Sequence, residues 1–140
     1  MLTESEKERR RILVRAHMSA ENRHDLDGIM ETFAAETTML YNRLPFPDPP
    51  SIREAHTYFG MSAANGAFDG VAVVPDHEHF TDDEVVIEGR MCGKHVGEFL
   101  GFAPTGRDVE LAYVAFYRFD AGGKLVSERV VMNLAPLAVA

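Results

Sequence analysis

The sequence predicts an α+β fold in which a curved antiparallel sheet packs against helices from the N-terminal part of the chain. Apolar residues recur at helical spacing in the first part of the chain, and alternating, β-rich segments dominate from Val71 onward. Helices followed by a run of strands indicate a helical layer that covers one face of a sheet. The chain has 140 residues, of which 46% are hydrophobic, so we expect a single domain over residues 1–140.

Three helices are predicted from their start signals. Thr3 and Glu6 form a capping box at the start of the first helix, and Asp25 caps a short second helix. Ser51 and Glu54 form another capping box, which opens a third helix that runs as far as an Asn-Gly dipeptide. The residues expected on the buried sides of these helices are Ile12, Leu13, Ala16, His17, Ala20, Leu26, Ile29, Met30, Phe33, Ile52, Ala55, His56, Phe59 and Ala63.

The remaining elements are strands separated by turn sequences. The stretch PFPDPP (45–50) is expected to be a stiff loop, because proline lacks a backbone donor and fixes φ. The sequences TDDE, APTGRD and DAGGK separate the later strands. The predicted strands are 37–44, 71–80, 84–92, 109–119 and 125–133.

Composition and charge argue against several classes of function. The net charge of −8 disfavours nucleic-acid binding, which needs clustered lysine and arginine. Cys92 is the only cysteine, so an internal disulfide and a cysteine zinc cluster are excluded. No stretch approaches the ~18 apolar residues of a membrane span, and the charged N-terminal segment lacks an apolar signal core. We therefore expect a cytoplasmic protein that binds neither nucleic acid nor membrane.

Two long stretches of the chain carry a recognisable pattern. The first, ENRHDLDGIMETFAAETTMLYN (21–42), resembles the second-helix segment of the SnoaL-like polyketide cyclases, a family within the nuclear-transport-factor-2-like and ketosteroid-isomerase-like superfamily. The second, GKHVGEFLGFAPTGRDVELAYVAFYRFDAGGKLVSERVVMN (93–133), follows the family's Gly-Thr-His-Thr-Gly-Glu-Phe and Pro-Thr-Gly-Arg pattern and its closing strands. The matching residues are Gly93, His95, Gly97, Glu98, Phe99, Gly101, Pro104, Thr105, Gly106, Arg107, Gly123 and Lys124.

The resemblance implies a fold, a chemistry and an assembly. The fold is a cone-shaped curved antiparallel sheet closed by three N-terminal helices (a cystatin-like α+β barrel), with a pocket that opens from its apolar interior. The chemistry is acid–base catalysis without metal or organic cofactor, in the form of cyclisation, isomerisation or hydration–dehydration of a hydrophobic, polyketide-like substrate. The assembly is a homodimer formed through the outer face of the sheet.

The long strand 109–119 supports the expected dimer independently of the resemblance. Its alternate residues are Val109, Leu111, Tyr113, Ala115 and Tyr117 on one face and Glu110, Ala112, Val114, Phe116 and Arg118 on the other. Both faces carry apolar side chains, so neither is simply solvated. A second copy of the chain is the expected cover for the outer face.

The closing strand departs from the family pattern where that family carries acids. Aligned on Glu128, the chain has Val130 at the usual aspartate position and Asn133 in place of the last acid. Valine cannot transfer a proton, so the family mechanism does not carry over residue by residue. We predict Glu128 as a catalytic carboxylate that faces inward, the alternative being an ion pair with Arg107 or Arg129 outside the pocket. Val130 is predicted to contact the substrate.

The sequence DHEHF (76–80) places two histidines two residues apart on a predicted strand. Counted from Val71, every second residue as far as His79 shares one side of the strand, and the first members of that set are apolar. This side is therefore expected to face the interior. Imidazole suits proton transfer near neutral pH, so we predict His77 and His79 as catalytic residues. The alternative is that the twist of the sheet carries them to the rim.

Four further residues are predicted to bind the substrate. Tyr41 and Tyr113 can donate a hydrogen bond to a carbonyl or enolate oxygen, although such tyrosines also serve as core residues. Arg90 lies near the position at which related epoxide hydrolases place an arginine, but Cys92 occupies the place of the accompanying aspartate. His95 matches the histidine of the family's Gly-Thr-His-Thr motif, where it is often structural.

Two other classes of function remain open. His77, His79 and Glu84 read H-x-H-x4-E, the spacing of the first metal-binding motif of cupins. The later cupin histidine is missing and three helices at the start do not fit a cupin, so we expect no metal. The second alternative is a non-catalytic small-molecule-binding or dimeric scaffold module of the same fold, favoured by the loss of both acids on the closing strand.

Overall fold

The computed structural model describes residues 1–138, which form a helical layer on one six-stranded sheet. The elements in chain order are α1 (Glu4–Asn22), α2 (Leu26–Glu31), β1 (Phe33–Tyr41), β2 (Leu44–Phe46), α3 (Pro49–Phe59), β3 (Phe68–Phe80), β4 (Glu84–His95), β5 (Asp108–Phe119) and β6 (Leu125–Met132), followed by a 3-10 turn (Ala135–Leu137). The expected fold class, α+β with a curved sheet and three helices, is confirmed.

The sheet has the order β2-β1-β6-β5-β4-β3 and is open at its edges. β1 runs parallel to β6, with Tyr41 paired with Val130, whereas the other neighbouring strands are antiparallel. The sheet is therefore mixed, which differs from the antiparallel sheet that the sequence led us to expect.

The first two helices begin where the sequence predicts. The hydroxyl of Thr3 accepts a hydrogen bond from the backbone N–H of Glu6, whose carboxylate accepts one from the N–H of Thr3 at 2.7 Å. The carboxylate of Asp25 accepts from the N–H of Gly28 and caps α2. Side-chain acceptors thus satisfy donors that the first turn of a helix cannot pair internally.

The third helix differs from its prediction at both ends. Asp48 is the N-cap and pairs with Ser51, so the last two of the four prolines of PFPDPP occupy the first helical turn, where a missing N–H costs no hydrogen bond. Pro45 and Phe46 of the same stretch, which was expected to be a loop, belong to strand β2. The helix ends at Phe59 because Gly60 adopts φ +113°, a left-handed conformation that favours glycine.

A β-bulge in β3 reverses the expected orientation of the DHEHF histidines. Pro75 pairs with Gly89 and His77 pairs with the adjacent Glu88, so Asp76 is an extra residue and the alternation of faces shifts by one. Before the bulge, Val73 is buried; after it, His77 and His79 are exposed. Counting alternate residues across the bulge therefore gave the wrong face.

The inner face of the sheet and the three helices enclose the core. The carboxylate of Glu78, on the inward side beyond the bulge, accepts a hydrogen bond from Arg11 of α1 at 2.7 Å. Fully or nearly fully buried core residues include Val14, Ile29, Ile52, Phe68, Val85, Ile87, Met91, Phe99, Leu111, Ala115, Tyr117 and Leu125. Among residues 1–138, no helix has both the length and the apolar character needed to cross a membrane.

Candidate active site

An apolar pocket opens between α3, the inner face of the sheet and the segment that follows β4. Its enclosed volume is about 60 Å³. Pockets for drug-sized ligands usually measure about 300–1,000 Å³, so a ligand with several rings needs movement of the side chains that line this pocket. The apolar lining includes Met39, Phe46, Ala55, Phe59, Met61, Val73, Phe99, Leu100, Ala115 and Met132.

Four buried ionisable residues form the polar part of this site, which we call the His–Glu cluster: His17, Glu21, His56 and Glu128. His17 and Glu21 lie one turn apart on α1, His56 comes from α3, and Glu128 comes from β6. Each residue contributes one histidine nitrogen or carboxylate oxygen, and these four atoms all lie within 4.8 Å of one another. Glu21, His56 and Glu128 line the pocket, whereas His17 is 0% exposed.

The imidazole nitrogens of the cluster approach carboxylate oxygens without closing to short hydrogen bonds. His17 Nε2 lies 3.5 Å from Glu21 Oε2 and 3.4 Å from Glu128 Oε1. His56 Nε2 lies 3.6 Å from Glu21 Oε2. Charge-assisted N–H···O bonds are usually about 2.7–2.9 Å long. His17 Nε2 and Glu128 Oε2 are buried without a hydrogen-bond partner.

The Nδ1 atoms of both histidines are fixed by neighbours outside the cluster. The hydroxyl of Thr32 donates to the carbonyl of Ile29, so its oxygen accepts the Nδ1–H of His17 at 2.8 Å. The Nδ1–H of His56 donates to the backbone carbonyl of Ile52 at 2.8 Å. Each Nε2 is therefore directed at the carboxylates by a hydrogen bond on the opposite side of the ring.

The charges of the cluster stabilise one another. Burial favours the neutral imidazole, but the carboxylates of Glu21 and Glu128 outweigh it and raise the pKa of His17 to about 10. Burial likewise disfavours the ionised carboxylate of Glu21, yet His17 and His56 lower its pKa to about 2. Without another cation, the cluster thus holds its charge as imidazolium–carboxylate pairs.

Two tyrosines of β5 lie beside the cluster. Tyr117 pairs across the strands with Glu128, and Tyr113 faces the pocket with a buried hydroxyl that has no hydrogen-bond partner. Burial, together with the nearby carboxylates, raises the pKa of both hydroxyls well above the usual value. Both remain protonated, so Tyr113 can donate a hydrogen bond to a ligand oxygen.

Four of the predicted site residues line the pocket: Glu128, Tyr41, Tyr113 and Val130. The hydroxyl of Tyr41 donates to the sulfur of Met132 at 2.8 Å, so it already has a partner. The predicted roles of these four residues in catalysis or substrate binding remain predictions, but their placement supports them.

The structure does not bring the DHEHF histidines to the pocket, and the expectation that they line it is wrong. His77 and His79 lie on the solvent side of the sheet because of the bulge at Asp76. His79 Nε2 lies 2.6 Å from the carboxylate of exposed Glu88. These two histidines are therefore remote from any ligand in the pocket.

Arg90 and His95 also lie away from the pocket, contrary to their prediction. Arg90 faces outward, where it forms an ion pair of 2.9 Å with Asp76 and another with Glu110. His95 is fully buried, stacks on Phe68 and accepts a hydrogen bond from a backbone N–H in the following loop. Its contacts are those of a structural residue.

The metal-binding alternative based on the cupin-like spacing is not supported by the geometry. Within residues 1–138, the His–Glu cluster is the one set of three or more histidine, cysteine or carboxylate side chains whose donor atoms converge. Glu84 instead contacts Arg129 at 3.1 Å on the outer side. His77, His79 and Glu84 do not form a common site.

Sequence reasoning assigned no function to three members of the cluster. His17 and His56 were recognised only as members of the apolar sides of two helices, and Glu21 was not singled out. The available signal was a histidine on a buried helix face followed four residues later by glutamate, an i,i+4 pair that shares one side of a helix. Their meeting with Glu128 depends on how the helices pack on the sheet.

Comparisons with known proteins agree with the fold. The family model described as "SnoaL-like polyketide cyclase" matches residues 11–139. AclR, a candidate hydroxylase from Streptomyces galilaeus, is 25% identical with a TM-score of 0.74, over 91% of this chain and 77% of AclR. A SnoaL-like polyketide cyclase candidate from Jannaschia sp. CCS1 is 20% identical with a TM-score of 0.78, over 94% of each chain.

A third solved structure has a similar fold. SalBIII, an epoxide hydrolase/cyclase-like enzyme with a role in pyran ring formation in the polyether salinomycin, is 18% identical with a TM-score of 0.75, over 93% of this chain and 95% of SalBIII. Comparison with curated proteins gave no match. Since the family model covers nearly the whole domain, the chain belongs to the SnoaL-like polyketide cyclase family.

Proposed function

We propose that this protein is an enzyme that performs acid–base chemistry on a hydrophobic, polyketide-like small molecule bound in its pocket. The reaction class is cyclisation, isomerisation or hydration–dehydration, and no organic cofactor is needed. The observation that carries the proposal is that a largely apolar pocket ends in buried imidazole and carboxylate groups. Burial in such a pocket is how proteins place reactive polar groups against an apolar ligand.

The proposed ligand has an apolar body and one carbonyl or hydroxyl group. The body would lie against the methionine and phenylalanine side chains of the pocket, and its oxygen would lie near Tyr113 and Glu128. In the proposed step the C–H bond next to the carbonyl breaks and its electron pair becomes part of an enolate. The proton moves to the carboxylate of Glu128. Polyketide cyclisation and double-bond isomerisation both pass through such an enolate.

The experiment uses 2-tetralone, an apolar ketone with exchangeable protons next to its carbonyl. Wild-type protein is incubated with 2-tetralone in deuterated buffer, and NMR follows deuterium incorporation at the α-carbon. We expect deuterium exchange well above the rate in buffer alone. We also expect 2-tetralone to bind, which is measured by its displacement of a fluorescent ligand from the pocket. Binding with no enzymatic exchange overturns the proposal and favours the alternative, a non-catalytic binding module of the same fold.

We also propose that two copies associate through the outer face of the sheet. On this face Leu40 and Phe116 lie opposite Arg129, and Val114 lies opposite Val131. Val131 is 61% exposed and Leu40 is 38% exposed. Contiguous exposed apolar residues on a sheet face are typical of an interaction surface, and a two-fold axis would bring identical patches together.

A further inference from the structure

We propose that the His–Glu cluster binds one divalent first-row transition metal ion of the zinc type. The ligands would be Nε2 of His17, Nε2 of His56, and one carboxylate oxygen each from Glu21 and Glu128. Two imidazoles and two carboxylates suit zinc and its first-row neighbours better than calcium or magnesium, which prefer oxygen ligands alone. Metal binding itself is independent of the proposed function, whereas a role of the metal in catalysis rests on it.

The spacing of the donor atoms is the first support. Ligands about 2.0–2.1 Å from zinc in a tetrahedral site lie about 3.3–3.4 Å from one another. Three of the four N···O separations in the cluster are 3.4, 3.5 and 3.6 Å, and all four ligand atoms lie within 4.8 Å of one another. The exposed pair of His79 and Glu88 closes instead to 2.6 Å, the length of a hydrogen bond. The buried separations thus match the edges of a coordination polyhedron better than hydrogen bonds.

The surroundings of the histidines are the second support. Histidines that bind metals usually donate their other ring N–H to a carbonyl, a carboxylate or another fixed acceptor, which orients the ring. His17 donates to Thr32 and His56 donates to the carbonyl of Ile52. The two Nε2 atoms are thereby left free to coordinate.

Charge and access complete the argument. A divalent cation would take over the role of the imidazolium charges: it would neutralise the two buried carboxylates while the imidazoles give up a proton and coordinate as neutral ligands. Nε2 of His17 and Oε2 of Glu128 are buried without hydrogen-bond partners, so both atoms are available to coordinate an ion. Three of the four residues line the pocket, which provides a route of entry for the ion and lets a ligand oxygen join the coordination sphere.

The class of ligand follows from this geometry. A metal at the end of an apolar pocket would bind the oxygen of a ketone or enol and polarise its C=O bond as a Lewis acid. The proposal therefore favours apolar molecules with an enolisable carbonyl over hydrocarbons of the same shape.

The experiment begins with elemental analysis of protein purified without chelator or added metal. A second sample is stripped with chelator and titrated by calorimetry with Zn²⁺, with Fe²⁺ under anaerobic conditions, and with Mn²⁺ and Mg²⁺. We expect one ion per protomer, with Zn²⁺ or Fe²⁺ bound far more tightly than Mg²⁺. Co²⁺ substitution should give the absorption bands of a low-symmetry, tetrahedral site.

Variants locate the ion. His56→Ala and Glu128→Gln should each weaken metal binding by at least about 100-fold, and Thr32→Val by about 10- to 100-fold through loss of orientation of His17. The matched control is the double variant His77→Ala/His79→Ala, which removes the exposed histidines and should keep full stoichiometry. Failure of the folded wild-type protein to bind any of these ions overturns the proposal, as does loss of binding in the control alone.

The outcomes separate this inference from the proposed function. If stripped protein binds no metal but still exchanges deuterium into 2-tetralone, the metal site is wrong and the proposed function stands. If the protein binds one ion at the cluster but neither binds nor exchanges 2-tetralone, the metal site stands and the proposed function is wrong.

Discussion

His17 on α1 and Glu128 on β6 meet in the buried end of the pocket, with 3.4 Å between Nε2 and Oε1. The two residues come from opposite ends of the chain, and each is at most 3% exposed. This contact joins helix α1 to the inner face of the sheet. It also shows that Glu128 faces inward and not towards an arginine outside the pocket, since Arg129 contacts Glu84 and Phe116 on the outer face and Arg107 contacts the carbonyl of Pro136. The catalytic role of Glu128 remains a prediction.

Glu128→Gln keeps the shape of the side chain but removes its negative charge. We expect the rate of deuterium exchange into 2-tetralone to fall by about 10²- to 10⁴-fold, the usual range for loss of an acid–base group. Initial rates by NMR provide the measurement, and Glu88→Gln, which alters an exposed carboxylate on the other face, is the control. A rate within a factor of two of wild type would exclude Glu128 from the chemistry.

Tyr113→Phe removes a buried hydroxyl that has no partner in the ligand-free protein. An unpaired buried polar group costs about 1–3 kcal/mol, so the free energy of unfolding should stay the same or rise. Affinity for 2-naphthol should fall by about 2- to 12-fold, the worth of one hydrogen bond, while affinity for naphthalene stays the same. Calorimetry with both compounds measures the difference.

The matched control for this variant is Tyr41→Phe, because the hydroxyl of Tyr41 already donates to Met132. Tyr41→Phe should change the affinity for 2-naphthol and the affinity for naphthalene by the same factor. If Tyr113→Phe instead lowered the affinity for both compounds equally, Tyr113 would act through the shape of the pocket and not through a hydrogen bond.

His17→Ala leaves two buried carboxylates without their shared imidazolium. In metal-free protein this should lower the free energy of unfolding by about 3–5 kcal/mol, the usual cost of removing one partner of a buried ion pair. Urea denaturation in the presence of chelator measures it. His79→Ala, at an exposed histidine, should change stability by less than about 0.5 kcal/mol.

A double-mutant cycle makes this prediction specific to the cluster. Adding Glu128→Gln to His17→Ala removes one of the two unpaired charges, so the pair of substitutions should cost less than the sum of the two single ones. Simple additivity would show that His17 acts by packing alone.

Val131→Asp places a charge on the outer apolar face. Burying that carboxylate against a second copy without a partner is costly, so we expect the wild type to form dimers and the variant to remain monomeric at the same concentration. Sedimentation equilibrium measures the association. Val96→Asp, at another exposed valine outside the sheet face, should leave association unchanged; dissociation of both variants would argue against this interface.

Much of the fold could be predicted from the sequence because its signals are local. The capping box at Thr3, the cap at Asp25 and the strand alternation of β4 and β5 depend on neighbours within a few residues. Glu128 and Val130 were assigned to the pocket from the resemblance of the closing strand to the family pattern, and the structure places both on one face because alternate residues of a regular strand share a face.

The tertiary structure decided what local patterns leave open. A single extra residue at Asp76 moved His77 and His79 to the solvent side, and strand alternation cannot reveal a bulge whose position depends on pairing with β4. The His–Glu cluster forms only when α1 and α3 pack on β6, because its members are distant in sequence. The sequence by itself determined the family fold and the apolar pocket, whereas long-range packing determined which ionisable groups meet within it.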